Sequence, residues 1–264
     1  MQAVITILGS GTSMGVPTLG CACRVCTSPD PRDTRTRPSI AIEFDGHRVL
    51  IDTGTDFRQQ ALREHIRKVD AVLYTHSHAD HILGLDDLRP LSFGLQAKIP
   101  LYADDATATV LERIFDYTFS ADSQYPNKAR VALHRLLEPQ ACIELFGATI
   151  QRVPIKHGRL DIAGYRFGNA AYLTDISEIP EESLPLLQHL DILIIGALRR
   201  TPHPSHAHLE KAIAFVQQLQ PRQAWFTHMS HDLHHADTEA GLPAHIRLAY
   251  DGQRIPFELE VAQP

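Results

Sequence analysis

The run Thr75-His76-Ser77-His78-Ala79-Asp80-His81 places three imidazoles and a carboxylate within six positions. His76 and His78 are two apart, so in extended chain they project to the same side. Asp80 and His81 follow where the chain must turn, and they aim elsewhere. A mixed nitrogen and oxygen set of this kind suits zinc, manganese or iron. The split in direction points to two adjacent ions rather than one. Two ions roughly 3.5 to 4 Å apart bring the pKa of a shared water towards neutrality.

These side chains need a scaffold. Ala71-Val72-Leu73-Tyr74 is apolar and β-prone, so it predicts a buried strand that runs straight into the histidine run. The same event recurs. Thr149 to Ile155 delivers Lys156-His157-Gly158, Ala171 to Thr174 delivers Asp175, and Gln223 to Phe226, the last strand expected, delivers Thr227-His228. Strand ends gathered at one rim of a sheet bring their polar residues together. Ile40 to Phe44 and Val49 to Ile51 flank Asp45-Gly46-His47 as a hairpin. Asp52 closes its second strand, where a carboxylate either orients a ligand by hydrogen bond or caps a turn.

Three of the four cysteines, Cys21, Cys23 and Cys26, also fall within six positions. That crowding suits a metal site better than a disulfide framework. Zinc prefers four ligands. Cys142, beside the strand-like Ile143 to Phe146, is a poor fourth, and His231 is a better one if its loop returns to the N-terminal region. Val4 to Leu8 predicts the first strand. The Gly9-Ser10-Gly11-Thr12-Ser13 turn after it either cradles a phosphate or passes close to the metal site. Asp56 to Lys68 has helical spacing, as do Ile82 to Leu91, Asp104 to Tyr117 and a helix opening at Pro204 or Ser205. Asp86, Asp87 and Arg89 are expected to be salt-bridged helix residues. Thr118 to Arg130 is polar and irregular and predicts a lid or variable loop.

A chain of 264 residues with ordinary apolar content can bury a substantial core, and no linker divides it, so residues 1–264 are expected to form one domain with a cysteine loop at about 20–38. Thirty-one acidic against 25 basic residues, without basic clustering, predict no nucleic-acid partner. No segment has the form of a signal peptide, and no apolar run nears the roughly 20 residues of a membrane span. The expectation is a cytoplasmic protein without a membrane partner.

The His-x-His-x-Asp-His run after an apolar strand resembles the signature of the metallo-β-lactamase-fold hydrolases. With the Gly-x-Gly-x-x-x-Gly-Val-Pro opening and the Cys-x-Cys-x-x-Cys loop, the chain is most similar to the phosphoribosyl cyclic phosphodiesterase (PhnP-like) branch, from Gly9 to Asp251-Gly252. The resemblance implies an α/β fold of αββα form, two central sheets flanked by helices. It implies one metal on His76, His78 and His157, a second on Asp80, His81 and His228, and Asp175 bridging them. It implies a structural zinc on Cys21, Cys23, Cys26 and His231. A histidine before the helix at Ser205 would be the general acid, His206 aligning best and His208 second, and Asp80 is counted with it among the catalytic residues. The implied substrate is a small cyclic phosphodiester of ribose 1,2-cyclic phosphate type. Zinc, manganese and iron all remain open at the paired site, and a homodimer is a family-level expectation. Rival readings are thioester or lactone hydrolysis, a PqqB-like carrier or biosynthetic role, and RNA 3′-end processing.

Overall fold

A computed structural model describes residues 1–121 and 124–259. β1 (Gln2–Gly9) pairs antiparallel with β2 (Ser39–Phe44), which turns into β3 (His47–Ile51). Asp45 and Gly46 make that turn with φ of 45° and 74°, the left-handed pair that a two-residue hairpin favours. α1 (Phe57–Arg63) and β4 (Ala71–Leu73) follow, then α2 (Ala79–Ile82) and α3 (Arg89–Ser92). β5 (Ile99–Asp104), α4 (Asp105–Ile114), α5 (Asp116–Phe119) and β6 (Val131–Leu136) complete the first half.

The second half runs β7 (Cys142–Leu145), β8 (Ala148–His157), β9 (Leu160–Phe167), β10 (Ala170–Leu173) and β11 (Ile192–Gly196). Then come α6 (Leu209–Leu219), β12 (Gln223–Thr227), α7 (His235–Ala240) and β13 (Ile246–Leu248). β14 (Arg254–Glu258) returns to the first half and pairs with β1. Among the described residues the result is two seven-stranded sheets, ordered β14-β1-β2-β3-β4-β5-β6 and β13-β12-β11-β10-β9-β8-β7.

The strands nearest the centre are apolar on both faces, and that explains the layering. Ile5, Ile42, Val49 and Leu73 of one sheet share a core with Ile150, Tyr165, Tyr172 and Ile194 of the other. On the outer face of the second sheet, Leu193 and Ile195 pack with Ala212 and Val216 of α6. On the outer face of the first, Leu50 and Val72 pack with Phe57 of α1 and Leu111 of α4. The order is helices, sheet, sheet, helices, the αββα form that the resemblance implied.

Several boundaries differ from expectation. The helix expected over Asp56 to Lys68 stops at Arg63. His65 takes φ of 52°, its N–H bonds the Leu62 carbonyl and the Ile66 N–H bonds the Ala61 carbonyl, a Schellman ending. The helix expected over Ile82 to Leu91 is broken into α2, a 3₁₀ turn at Leu85–Leu88 and α3, with Asp80 and His81 already inside α2. The helix expected to open at Pro204 or Ser205 starts at Leu209, with His208 at its N-cap. β12 is not the last strand, since β13 and β14 follow it. In the expected lid, Thr118 and Phe119 are helical and residues 122 and 123 lie outside the described residues, and β6, Val131–Leu136, follows directly after it.

Candidate metal centre

The rim where β4, β8, β10 and β12 end carries the candidate ligands. Two groups form side by side, His76 with His78 and His157, and Asp80 with His81, Asp175 and His228. In each, one ligand atom per residue lies within 4.8 Å of the others. Asp175 also groups with His157 and His206, so it reaches across both.

Local backbone explains how these side chains are aimed. Asp52, Asp175 and His228 stand at strand ends with φ of 66°, 55° and 57°. The left-handed region is costly for residues with a Cβ and persists only where surrounding structure enforces it. α2 is seated on bare backbone: the Thr53 N–H donates to the His81 carbonyl at 2.8 Å, and the Gly84 N–H to the Thr53 carbonyl at 2.8 Å. A Cβ on Gly54 would stand 1.9 Å from the Asp80 carbonyl oxygen, so only glycine fits. The two sheets are tied at the rim by the Ala163 N–H on the Thr75 carbonyl (2.9 Å) and the Tyr165 hydroxyl on the Tyr74 carbonyl (2.7 Å).

Partners outside the groups fix the rings. Asp52 accepts from His81 Nδ1 at 2.7 Å, from the Thr75 N–H at 2.8 Å and from the Thr75 hydroxyl at 2.8 Å. His157 Nδ1 donates to the Ser205 carbonyl at 2.7 Å. Those bonds leave Nε2 of both His81 and His157 for the groups they face.

The donor set fits cations. His81 Nε2 lies 3.2 Å from an oxygen of Asp80 and 3.2 Å from one of Asp175, and His228 Nε2 lies 3.0 Å from the other oxygen of Asp175. Ligand atoms about 2.0–2.2 Å from a tetrahedral ion are roughly 3.4 Å apart. Asp80 Oδ2, His81 Nε2 and His228 Nε2 are buried without a hydrogen bond, and buried polar groups seldom go unsatisfied. His76 Nε2 and His78 Nδ1 face each other at 2.9 Å.

Electrostatics within the second group follow the same geometry. Burial opposes charge on His81 and His228, but the carboxylates outweigh it: Asp175 is the largest contributor to both, lifting His81 well above the usual imidazole value and His228 to about 9. Burial likewise opposes charge on Asp175, yet His228 and His81 hold it well below the carboxylate range. His76, by contrast, is pushed well down, first by burial and then by His81. His206 is pushed down to about 3, first by burial and then by His228.

Cys21, Cys23, Cys26 and His231 form a third group, with His231 Nδ1 at 3.2, 3.5 and 3.5 Å from the three sulfurs. Those spacings suit a closed tetrahedral thiolate site. Hydrogen bonding, chiefly from the Cys26 backbone, brings the Cys23 thiol down to about 6, while burial raises Cys26 to about 11. Arg35, fully buried, braces this loop against the one carrying His228 and His231. It pairs with Asp33 at 3.0 Å and donates to the carbonyls of Ser230 (2.9 Å) and Leu233 (2.6 Å).

Every residue singled out for the paired site and the cysteine site is thus brought to its group. Cys142 lies elsewhere, exposed and bonded to Gln151. His206 stands at the rim, with Nδ1 3.8 Å from Asp175 and its ring 4.4 Å from that of His157. His208 is near Glu210 instead and belongs to neither group. Arg89 pairs with Asp86 at 3.6 Å, the structural role expected of it. Thr75, Ser205 and Gly54 escaped sequence reasoning. Two of them act through backbone groups, which leave no mark on residue type.

Residues 47–229 match the family model of the β-lactamase superfamily domain. The chain is 53% identical to the crystal structure of a new diphosphatase from the PhnP family, covering 98% of each chain with a TM-score of 0.92. This chain belongs to the PhnP family of the metallo-β-lactamase fold. Membership places it among the metallo-β-lactamase superfamily hydrolases and implies divalent-metal binding. Among curated proteins it is 41% identical, over 93% of its length, to an octanoyltransferase of Porphyromonas gingivalis, of which it covers 50%. It is 33% identical, over 51% of its length, to coenzyme PQQ synthesis protein B of Methylorubrum extorquens, of which it covers 48%. The chain therefore spans about half the length of these curated relatives. No helix among the described residues is long and apolar enough to cross a membrane.

Proposed function

We propose that this chain hydrolyses a P–O bond in a small phosphoryl substrate, first of all a cyclic phosphodiester of ribose 1,2-cyclic phosphate type. The observation that carries the reading is the pair of ligand groups that share Asp175, with His206 beside them. His76, His78 and His157 would hold one divalent ion, Asp80, His81 and His228 the other, and Asp175 both. Zinc or manganese suits the set, and iron also fits it. Such a pair, when bound, lowers the pKa of a water and draws charge from phosphoryl oxygens.

The residues of the chain supply the rest. Asp52 and the Ser205 carbonyl hold His81 and His157 in the tautomer that presents Nε2 to the groups. His206 Nδ1 faces Asp175, which leaves Nε2 to give a proton to the leaving oxygen. Burial disfavours charge on that ring; an anionic phosphoryl group beside it counters this. An alkoxide leaves poorly and needs that proton. A phosphate leaving group, as in a diphosphate, needs it less.

The 53% identity to a PhnP-family diphosphatase favours a second reading, cleavage of a diphosphate in the same site. The octanoyltransferase name belongs to a protein half of which this chain does not match. One substrate panel separates these readings: a ribose cyclic phosphate, bis(p-nitrophenyl) phosphate, a nucleoside diphosphate, a thioester and a lactone. Metal-dependent turnover confined to the phosphoryl compounds is expected, with the cyclic diester fastest. Thioester or lactone turnover without phosphoryl turnover would overturn the proposal.

A further inference from the structure

One imidazole at the rim has no part in the reading so far. His203 sits in the Pro202 to His208 segment and belongs to none of the ligand groups. Its Nδ1 lies 3.3 Å from the Ser205 amide nitrogen and 3.3 Å from the Ser205 hydroxyl. An amide N–H only donates, so Nδ1 accepts and the ring proton sits on Nε2. Nε2 has no hydrogen-bond partner among the described residues, and the side chain is only half-buried.

The segment that carries His203 is held in place. Arg199 donates to the carbonyls of Thr201 (3.1 Å) and Pro202 (2.8 Å). Ser205 binds His203 through its amide and His157 through its carbonyl, so one residue registers His203 against a candidate ligand. A Cβ on Gly158 would come within 3.0 Å of Ser205 Cβ, which shows how closely the segment lies on the end of β8. The rings are in successive contact: His157 to His206 is 4.4 Å and His206 to His203 is 5.0 Å between centroids. His203 is one ring further from the ligands than His206. A donor beyond His206 suits a group attached to the phosphoryl group under attack better than that group itself.

We propose that His203 is a specificity-determining, substrate-binding imidazole whose Nε2–H donates to a second anionic phosphoryl group, so that a diphosphate binds more tightly than bis(p-nitrophenyl) phosphate, which carries no such group. The proposal rests on the phosphoryl-hydrolase reading above. A neutral imidazole N–H suits this role, because it donates to an anion without needing to be charged.

The test uses the metal-loaded, full-length protein, with His203→Ala and His203→Gln beside the wild type. KM and kcat are measured for a nucleoside diphosphate and for bis(p-nitrophenyl) phosphate. Metal content and inorganic pyrophosphate binding by calorimetry are measured alongside. Loss of a hydrogen bond to a charged group predicts a KM for the diphosphate raised about tenfold in His203→Ala, with pyrophosphate binding weakened similarly. kcat should stay within about twofold, the sign of lost ground-state binding. The KM for bis(p-nitrophenyl) phosphate and the metal content should not move, and His203→Gln, which retains an N–H, should recover part of the loss. An unchanged KM for the diphosphate, an equal rise for both substrates, or loss of metal overturns the role of His203. A wild type that hydrolyses neither of these compounds nor a ribose cyclic phosphate overturns the reading beneath it instead.

Discussion

Both oxygens of Asp52 are engaged by the strand end that carries the ligands. One accepts from the Thr75 N–H, the other from the Thr75 hydroxyl and His81 Nδ1. Asp52→Asn keeps the shape but removes the charge that holds His81 with its proton on Nδ1. Metal affinity, read by competition with a chelator, should fall roughly 10–100-fold, and an unchanged affinity would limit Asp52 to a turn. His206→Ala should leave metal content intact and cut turnover of a diester with an alkoxide leaving group by about 10² or more. A diphosphate should suffer less, and equal turnover on the alkoxide diester would remove His206 from the chemistry. The ligands were legible because three imidazoles and a carboxylate at that spacing have few other uses. Choosing His206 over His208 was not settled by spacing; the structure separates them because α6 begins at Leu209, which leaves His206 in the loop against Asp175.

At the scale of elements, the seat of α2 decides where Asp80 and His81 point. Gly54→Ala forces a Cβ to within 1.9 Å of the Asp80 carbonyl, so α2 must shift. We expect destabilisation of about 1–3 kcal/mol or more together with loss of metal from the Asp80 group. Calorimetric melting and metal analysis check this, and full metal content at wild-type stability would contradict it. Strands that run straight into ligands were legible from apolar runs ending in His or Asp. Helix ends were not. Ile66 continues the apolar spacing of α1, yet the chain has left the helix at His65, whose left-handed turn brings Ile66 back to the buried side. Periodicity cannot tell that ending from another helical turn.

At the scale of the molecule, the two central sheets were foreseeable from the resemblance, and the chain passes from one to the other between β6 and β7. The return of β14 to β1 was invisible, because pairing between residues some 250 apart leaves no local pattern. Asp251 anchors that return. It accepts from the N–H and hydroxyl of Ser10 at 2.9 and 2.8 Å, from those of Thr36 at 2.9 and 2.6 Å, and from Arg63 at 3.2 Å. Asp251→Ala leaves several of these donors unsatisfied, at a cost of about 3 kcal/mol. The melting temperature should drop by on the order of 6–12 °C; a shift of less than about 2 °C would show that the anchor is dispensable.

The most direct measurement is metal stoichiometry by elemental analysis of the protein purified with divalent metal, beside Asp175→Ala. The wild type should carry three ions per chain, one of them zinc held by the cysteine group. Asp175→Ala, lacking the carboxylate that both groups share, should fall towards that one. A wild type with a single ion, or a variant that keeps all three, would contradict a paired centre bridged by Asp175.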